Sequence, residues 1–198
     1  DVFPYPVTDG HGGTGSNTLT VTIHGTDEGL PGLTVADVVE DVRPFTQVTL
    51  PVPSDPGGTL GSAYVYSSSS LQGQYGVFTI AADGTATYTL YNSLPSIQGL
   101  GQGETLTDTL AYSVSNSQGV TLPGSFTVTI HGTNDIPTVA AAVASVTEDT
   151  KITASGTLPL PQDTDIHDTL TFTPKVAEAG LYGTLTLNAD GSYTYTLN

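Results

Sequence analysis

The chain repeats itself at a fixed distance, and that constrains its fold more than any single motif. Tyr5 returns as Tyr112, His24 as His131, Tyr75 as Tyr182 and Asp83 as Asp190, each pair 107 positions apart. The surrounding words return with them. Thr20-Val21-Thr22-Ile23-His24-Gly25-Thr26 recurs at 127–133, and Asp83-Gly84-Thr85-Ala86-Thr87-Tyr88-Thr89-Leu90 reappears as Asp190-Gly191-Ser192-Tyr193-Thr194-Tyr195-Thr196-Leu197. Solenoid repeats run about 20 to 50 residues, whereas about 100 residues builds one self-sufficient β-sandwich. The sequence therefore predicts tandem modules that each own a core, and a single catalytic pocket is not what such an array is built around.

Alternation with period two runs through the chain and helical periodicity is nowhere convincing. Leu19, Val21 and Ile23 alternate with threonines, and Phe126, Val128 and Ile130 do the same. Further strands read at 33–39, 46–52, 63–66, 76–80, 85–91 and 109–115. Asp83-Gly84 and Asp190-Gly191 each separate two alternating runs, the hairpin signal of a type I′ turn, whose two central residues need positive φ. Seven or so short strands per repeat predict an all-β chain of tandem antiparallel β-sandwiches, immunoglobulin-like or cadherin-like.

The phase of the repeat admits two divisions. Residues 1–91 correspond to 108–198, which makes two units joined by a Pro/Gly/Ser-rich connector at 92–107. The other division cuts at Gly25-Thr26-Asp27-Glu28 and Gly132-Thr133-Asn134-Asp135, leaving one complete sandwich at 28–135 flanked by half-domains 1–27 and 136–198. The first is the expectation carried forward.

Nineteen Asp and Glu face three basic residues, for a formal charge of −16. That field repels nucleic acid and anionic membranes, which bind through Lys and Arg. It also sets the compact state against itself by self-repulsion, and hard divalent cations, which prefer carboxylate oxygens, relieve it. With no cysteine there is no disulfide and no thiolate metal site. No apolar run of about 18 residues reads as a membrane span, and the chain reads as a segment of a longer one whose export signal lies elsewhere.

Several separate words carry a family resemblance: Val146-Thr147-Glu148-Asp149, the run Tyr182-Gly183-Thr184-Leu185-Thr186-Leu187-Asn188-Ala189-Asp190-Gly191-Ser192-Tyr193, Gly103-Glu104-Thr105-Leu106-Thr107-Asp108, and Ile130-His131-Gly132-Thr133-Asn134-Asp135-Ile136-Pro137. Taken in order along the chain, they resemble the VCBS repeat of very large bacterial surface proteins. The resemblance implies a cadherin-like or immunoglobulin-like module of a secreted, calcium-dependent adhesin of the RTX type, placed at the bacterial cell surface and used in attachment and biofilm formation. It also implies neighbouring repeats of the same chain as partners.

The acidic residues can be read by their own chemistry. Asp163, Asp165 and Asp168 form an Asp-x-Asp-x-x-Asp run able to converge carboxylates on one point, and calcium takes six to eight such oxygens. Glu148-Asp149 and Asn134-Asp135 resemble the acidic pieces that cadherins assemble at domain junctions. In the first repeat Glu40-Asp41 and Asp27-Glu28 keep this character, but Asp55-Pro56-Gly57 stands where Asp163-Thr164-Asp165 stands, so the two copies are expected to differ. The alternative for all of these is solvated, turn-capping carboxylates.

Other features weigh less. The Gly12-Gly13-Thr14-Gly15-Ser16-Asn17 stretch reads as a glycine-rich hairpin loop. His24 and His131 lie on polar strand faces, and His11 and His167 lie in loops, with nothing spaced to make any of them a base or metal ligand. Tyr88, Tyr91, Tyr193 and Tyr195 are expected to pack across strands; gathered on one exposed face they would instead make a platform for a polysaccharide. No nucleophile motif, phosphate loop or zinc spacing is present. The expectation is a non-catalytic, calcium-stabilised extender repeat, with a polysaccharide- or ligand-binding module as the rival.

Overall fold

The computed structural model describes residues 1–22, 33–51, 64–67, 69–116 and 119–198. Asp27, Glu28, His24 and the Asp55-Pro56-Gly57 stretch lie outside the described residues. The strands in chain order are β1 (Val2–Thr8), β2 (Thr14–Thr20), β3 (Leu33–Val39), β4 (Phe45–Thr49), β5 (Val65–Tyr66), β6 (Ser69–Gln72), β7 (Gly76–Ile80) and β8 (Thr85–Leu90). A single helical turn, α1 (Pro95–Gln98), precedes β9 (Thr105–Ser115), β10 (Thr121–His131), β11 (Thr153–Thr157), β12 (Lys175–Ala179), β13 (Gly183–Leu187) and β14 (Ser192–Leu197).

These strands make four sheets: β1-β2, β3-β10-β9-β5, β4-β8-β7-β6 and β11-β14-β13-β12. The second and third share one core. Alternation in β9 buries Asp108, Leu110, Tyr112 and Val114, and in β10 it buries Leu122, Phe126, Val128 and Ile130. Phe78, Ile80, Ala86, Tyr88 and Leu90 answer from β7 and β8. The layers meet at stacked Phe78 and Phe126, ring centroids 4.4 Å apart. Each large apolar side chain so buried contributes about 1.5 to 3 kcal/mol. An all-β sandwich is what the alternation predicts, and the structure has it.

Three details differ from the sequence expectation. β3 pairs parallel to β10, not antiparallel; the chain turns at Glu40–Pro44 and crosses into the other sheet as β4, with Asp41 at φ 54°. β6 is a Ser-rich strand that polarity concealed. At the Asp-Gly turns only Gly84 and Gly191 have positive φ. Asp83 and Asp190 instead accept the Thr85 and Ser192 amides at 2.8 and 2.9 Å, so a turn with a left-handed glycine replaces the type I′ form. The Tyr66 ring lies over Gly84 and the Phe172 ring over Gly191, leaving no room for a Cβ.

The stretch 92–107, read above as the connector, contains α1, and its Ile97 and Leu100 are buried in the same core. Asp108 is buried too. It accepts the amides of Gln74 and Tyr75 at 3.2 and 3.0 Å and the Tyr88 hydroxyl at 2.8 Å. Burial and this bond push the Tyr88 phenol pKa well up.

Candidate metal centre

Four pieces of chain converge where β10 ends. Glu40, one residue past β3, is 2 % exposed because its amide extends the β3–β10 pairing by bonding the His131 carbonyl. Its Oε1 accepts the Thr133 amide at 2.9 Å, while Oε2 is buried without a partner. The second piece is the turn after α1. Gly132 packs so tightly on the carbonyls of Leu100 and Gly101 that a Cβ would come within 2.6 Å of them, and its amide bonds the Glu104 carbonyl. Only glycine permits that approach.

The third piece is 133–135 and the fourth is the loop 163–168. The Asp135 amide donates to Asp165 Oδ2 at 2.9 Å, and the Asp165 amide donates to Asp163 Oδ1 at 3.2 Å. Asp165 is 3 % exposed, and its Oδ1, like Asp163 Oδ2, is buried without a partner. Ile166 bonds the Gly99 carbonyl, and a Cβ on Gly101 would lie 3.5 Å from Asp168 Oδ1. The loop therefore docks on the turn after α1. His167 Nδ1 meets Glu104 Oε1 at 2.9 Å, while Gly101 donates to Oε2; the histidine first and that amide second lower the Glu104 pKa.

Electrostatically the cluster is unbalanced. Burial, reinforced by the Asp41, Asp135 and Asp165 carboxylates, raises the Glu40 pKa, against a smaller lowering by the Thr133 amide. Three buried carboxylate oxygens, from Glu40, Asp163 and Asp165, lack donors. A buried unpaired acceptor costs about 1 to 3 kcal/mol, more when charged. The donor set is all hard oxygen, which fits a cation such as calcium and suits no soft metal. Among the described residues no three such side chains are gathered into a finished metal cage.

The remaining sequence candidates fall elsewhere. Asn134 bonds the Asp135 carbonyl through its own Nδ2. Asp41 has donors of its own, its Oδ1 taking Asn92 Nδ2 and Gln98 Nε2. Glu148 and Asp149 sit on an exposed turn bridged by Thr147 and Lys151, where Asp149 repeats the positive φ of Asp41; they line an open cleft with Tyr182 and Asn198. Glu104 was not among the sequence candidates, although the Gly103-Glu104 word carried the signal. His131 bonds Asp37 at 3.1 Å on the surface. Among the tyrosines, Tyr88 is fully buried and Tyr91 bonds Gln72.

No helix among the described residues is long and apolar enough to cross a membrane. A comparison with curated proteins found no match. Among solved structures the chain is similar to the human desmocollin-1 ectodomain, with 15% identity and a TM-score of 0.42 over 96% of this chain and 35% of that one. The chain thus spans about a third of that ectodomain. Residues 134–198, which begin three positions past the end of β10, match the family model of the bacterial cadherin-like domain.

Proposed function

We infer that the chain is a non-catalytic, calcium-stabilised extender from a secreted bacterial surface adhesin. The observation that carries this reading is the set of orphaned, buried carboxylate oxygens on Glu40, Asp163 and Asp165. Glu40 directly follows β3 of the sandwich and the two aspartates lie in the stretch matched to the bacterial cadherin-like domain, so an ion held between them would bridge the two repeats. The cadherin-like match speaks for an adhesion-type extracellular module. Attachment and biofilm formation belong to the parent protein in this reading.

The repeat phase follows the same reading: a closed unit over 28–135, with 1–27 and 136–198 belonging to its neighbours. The support is that the shared core runs from Ala36 to Ile130 and that the family match starts at Asn134. Calcium between Glu40 and Asp165 would then fix the angle between successive sandwiches and turn a flexible string into a stalk. Small-angle scattering tests it. A maximum dimension that stays sharp in calcium and a distance distribution that broadens in EDTA are expected; identical curves would sink the reading.

A further inference from the structure

The sheet β11-β14-β13-β12 repeats the strand order of β4-β8-β7-β6, and β14 pairs with β11 and β13 in the registers of β8 with β4 and β7. Leu185↔Tyr195 and Leu187↔Tyr193 stand where Phe78↔Tyr88 and Ile80↔Ala86 stand, and Thr153↔Thr196 stands where Phe45↔Thr89 does. The second and third sheets close over one another, but the apolar face of the fourth opens on a groove of about 310 Å³, lined by Ala144, Val146, Leu158, Leu185, Leu187 and Tyr193 among others. Among the described residues no second layer covers it.

The layer exists elsewhere in the chain. β1 pairs with β2 in the register of β9 on β10 displaced by 107: Val2↔Thr20 matches Thr109↔Thr127, Phe3↔Leu19 matches Leu110↔Phe126, and Thr8↔Thr14 matches Ser115↔Thr121. Phe3, Tyr5, Val7, Leu19 and Val21 thus hold the positions of Leu110, Tyr112, Val114, Phe126 and Val128. The latter five are at most 7 % exposed, whereas the former are 40 to 59 % exposed. Asp1 holds the position of Asp108, and Tyr182 and Tyr195 hold those of its donors Tyr75 and Tyr88.

A third observation concerns residues 141–147, the counterparts of β3. β3 is a strand by virtue of its parallel pairing with β10. Among the described residues, 141–146 have no such partner, and they form no strand. The same sequence position is ordered into a ladder only where the hairpin is in place, as expected for a segment whose backbone groups must find partners.

We propose that the β1–β2 hairpin of a second copy of this chain docks over the open face of β11-β14-β13-β12, with β2 adding in parallel to residues 141–147. The interface continues one the chain already contains, between β9-β10 and β4-β8-β7-β6. Because β3 and β10 run parallel, the chain enters the central sandwich at one end and leaves at the other. An intrachain closure must span strands of up to eleven residues, about 36 Å at 3.3 Å per residue; a second copy need not. The contact is heterologous, the hairpin of one copy on the face of the next, so it propagates into linear chains of copies. It does not depend on calcium.

Sedimentation velocity of the 198-residue chain, in calcium and in EDTA, tests this. Mass is expected to grow with concentration beyond two copies. Phe3→Asp, which spoils the hairpin, and Leu185→Asp, which spoils the face, are each expected to give monomers, while their mixture gives dimers and stops there. The mixture remains decisive even where Leu185→Asp unfolds its own sheet, since that chain keeps its hairpin and the Phe3→Asp chain keeps its face. A wild-type chain that is monomeric throughout, or a mixture that forms no dimer, overturns the proposal.

Discussion

The Asp135 amide donates to Asp165 Oδ2 at 2.9 Å, thirty positions along the chain, and this one bond ties the end of β10 to the acidic loop beneath it. The other oxygen of Asp165 is buried and bare, as is one oxygen of Glu40. The backbone thus fixes the carboxylates in place without neutralising them. Neutralisation falls to a proton, an engineered donor or a cation, and the first three predictions separate these.

Calcium is expected to raise the melting temperature of the chain and EDTA to lower it. Extracellular calcium modules bind near 10⁻⁴ to 10⁻³ M, and an ion at ten times its dissociation constant stabilises by about 1.4 kcal/mol per site. Scanning calorimetry reads the shift; its absence would remove calcium from this junction.

The aspartates should not be equivalent. Asp163→Ala with Asp165→Ala is expected to abolish most of the calcium-linked shift, whereas Asp149→Ala, on the exposed turn, should leave it within about 0.5 kcal/mol of the parent. Equal losses from both would mean that the ion sits elsewhere.

Without calcium, Glu40's contribution to stability should fall as pH rises. The folded state raises the Glu40 pKa above the ordinary 4.5, so it holds that proton more tightly than the unfolded chain does. Glu40's contribution is fully present below 4.5 and is lost as pH climbs through the raised value. Glu40→Gln keeps an acceptor for Thr133 and sets an amide donor among carboxylates. In EDTA at neutral pH it should stabilise by about 1 kcal/mol and flatten the decline, and with calcium it should lose the ion's increment. Urea melts at several pH values, with and without calcium, check both halves; a less stable Glu40→Gln protein in EDTA would contradict this account of the charge.

Asp108 is the opposite case, a buried carboxylate with its donors in place. Asp108→Ala strands two amides and the Tyr88 hydroxyl, and about 3 kcal/mol or more should be lost. Tyr88→Phe, which removes one donor and leaves the other two, should cost about 1 kcal/mol. The midpoint in urea should move at constant slope, and calcium should rescue neither variant.

Gly84→Ala should cost about 1 to 3 kcal/mol, since the residue sits at φ 84° and its Cβ would come within 2.7 Å of the Tyr66 ring. Thermal melting measures it, and an unchanged midpoint would show that the ring gives way freely.

What the sequence determined by itself was local or periodic. Alternation such as Leu110, Tyr112 and Val114 sets one face of a strand inward, Asp83-Gly84 must turn because glycine tolerates positive φ, and the 107-residue repeat makes equivalent stretches adopt equivalent registers. The acidic cluster was legible only as a local surplus of carboxylates. The parallel β3–β10 pair was hidden, because pairing direction depends on where the chain crosses between sheets. β6 was hidden because its serines carry no hydrophobic signal. Tertiary structure alone decided that Glu40 meets the Thr133 amide and feels the charge of Asp165, residues 93 and 125 positions away, while its neighbour Asp41 turns to Asn92 and Gln98. Burial explains the difference: a carboxylate left in water needs no partner, and only the fold determines which carboxylates leave water.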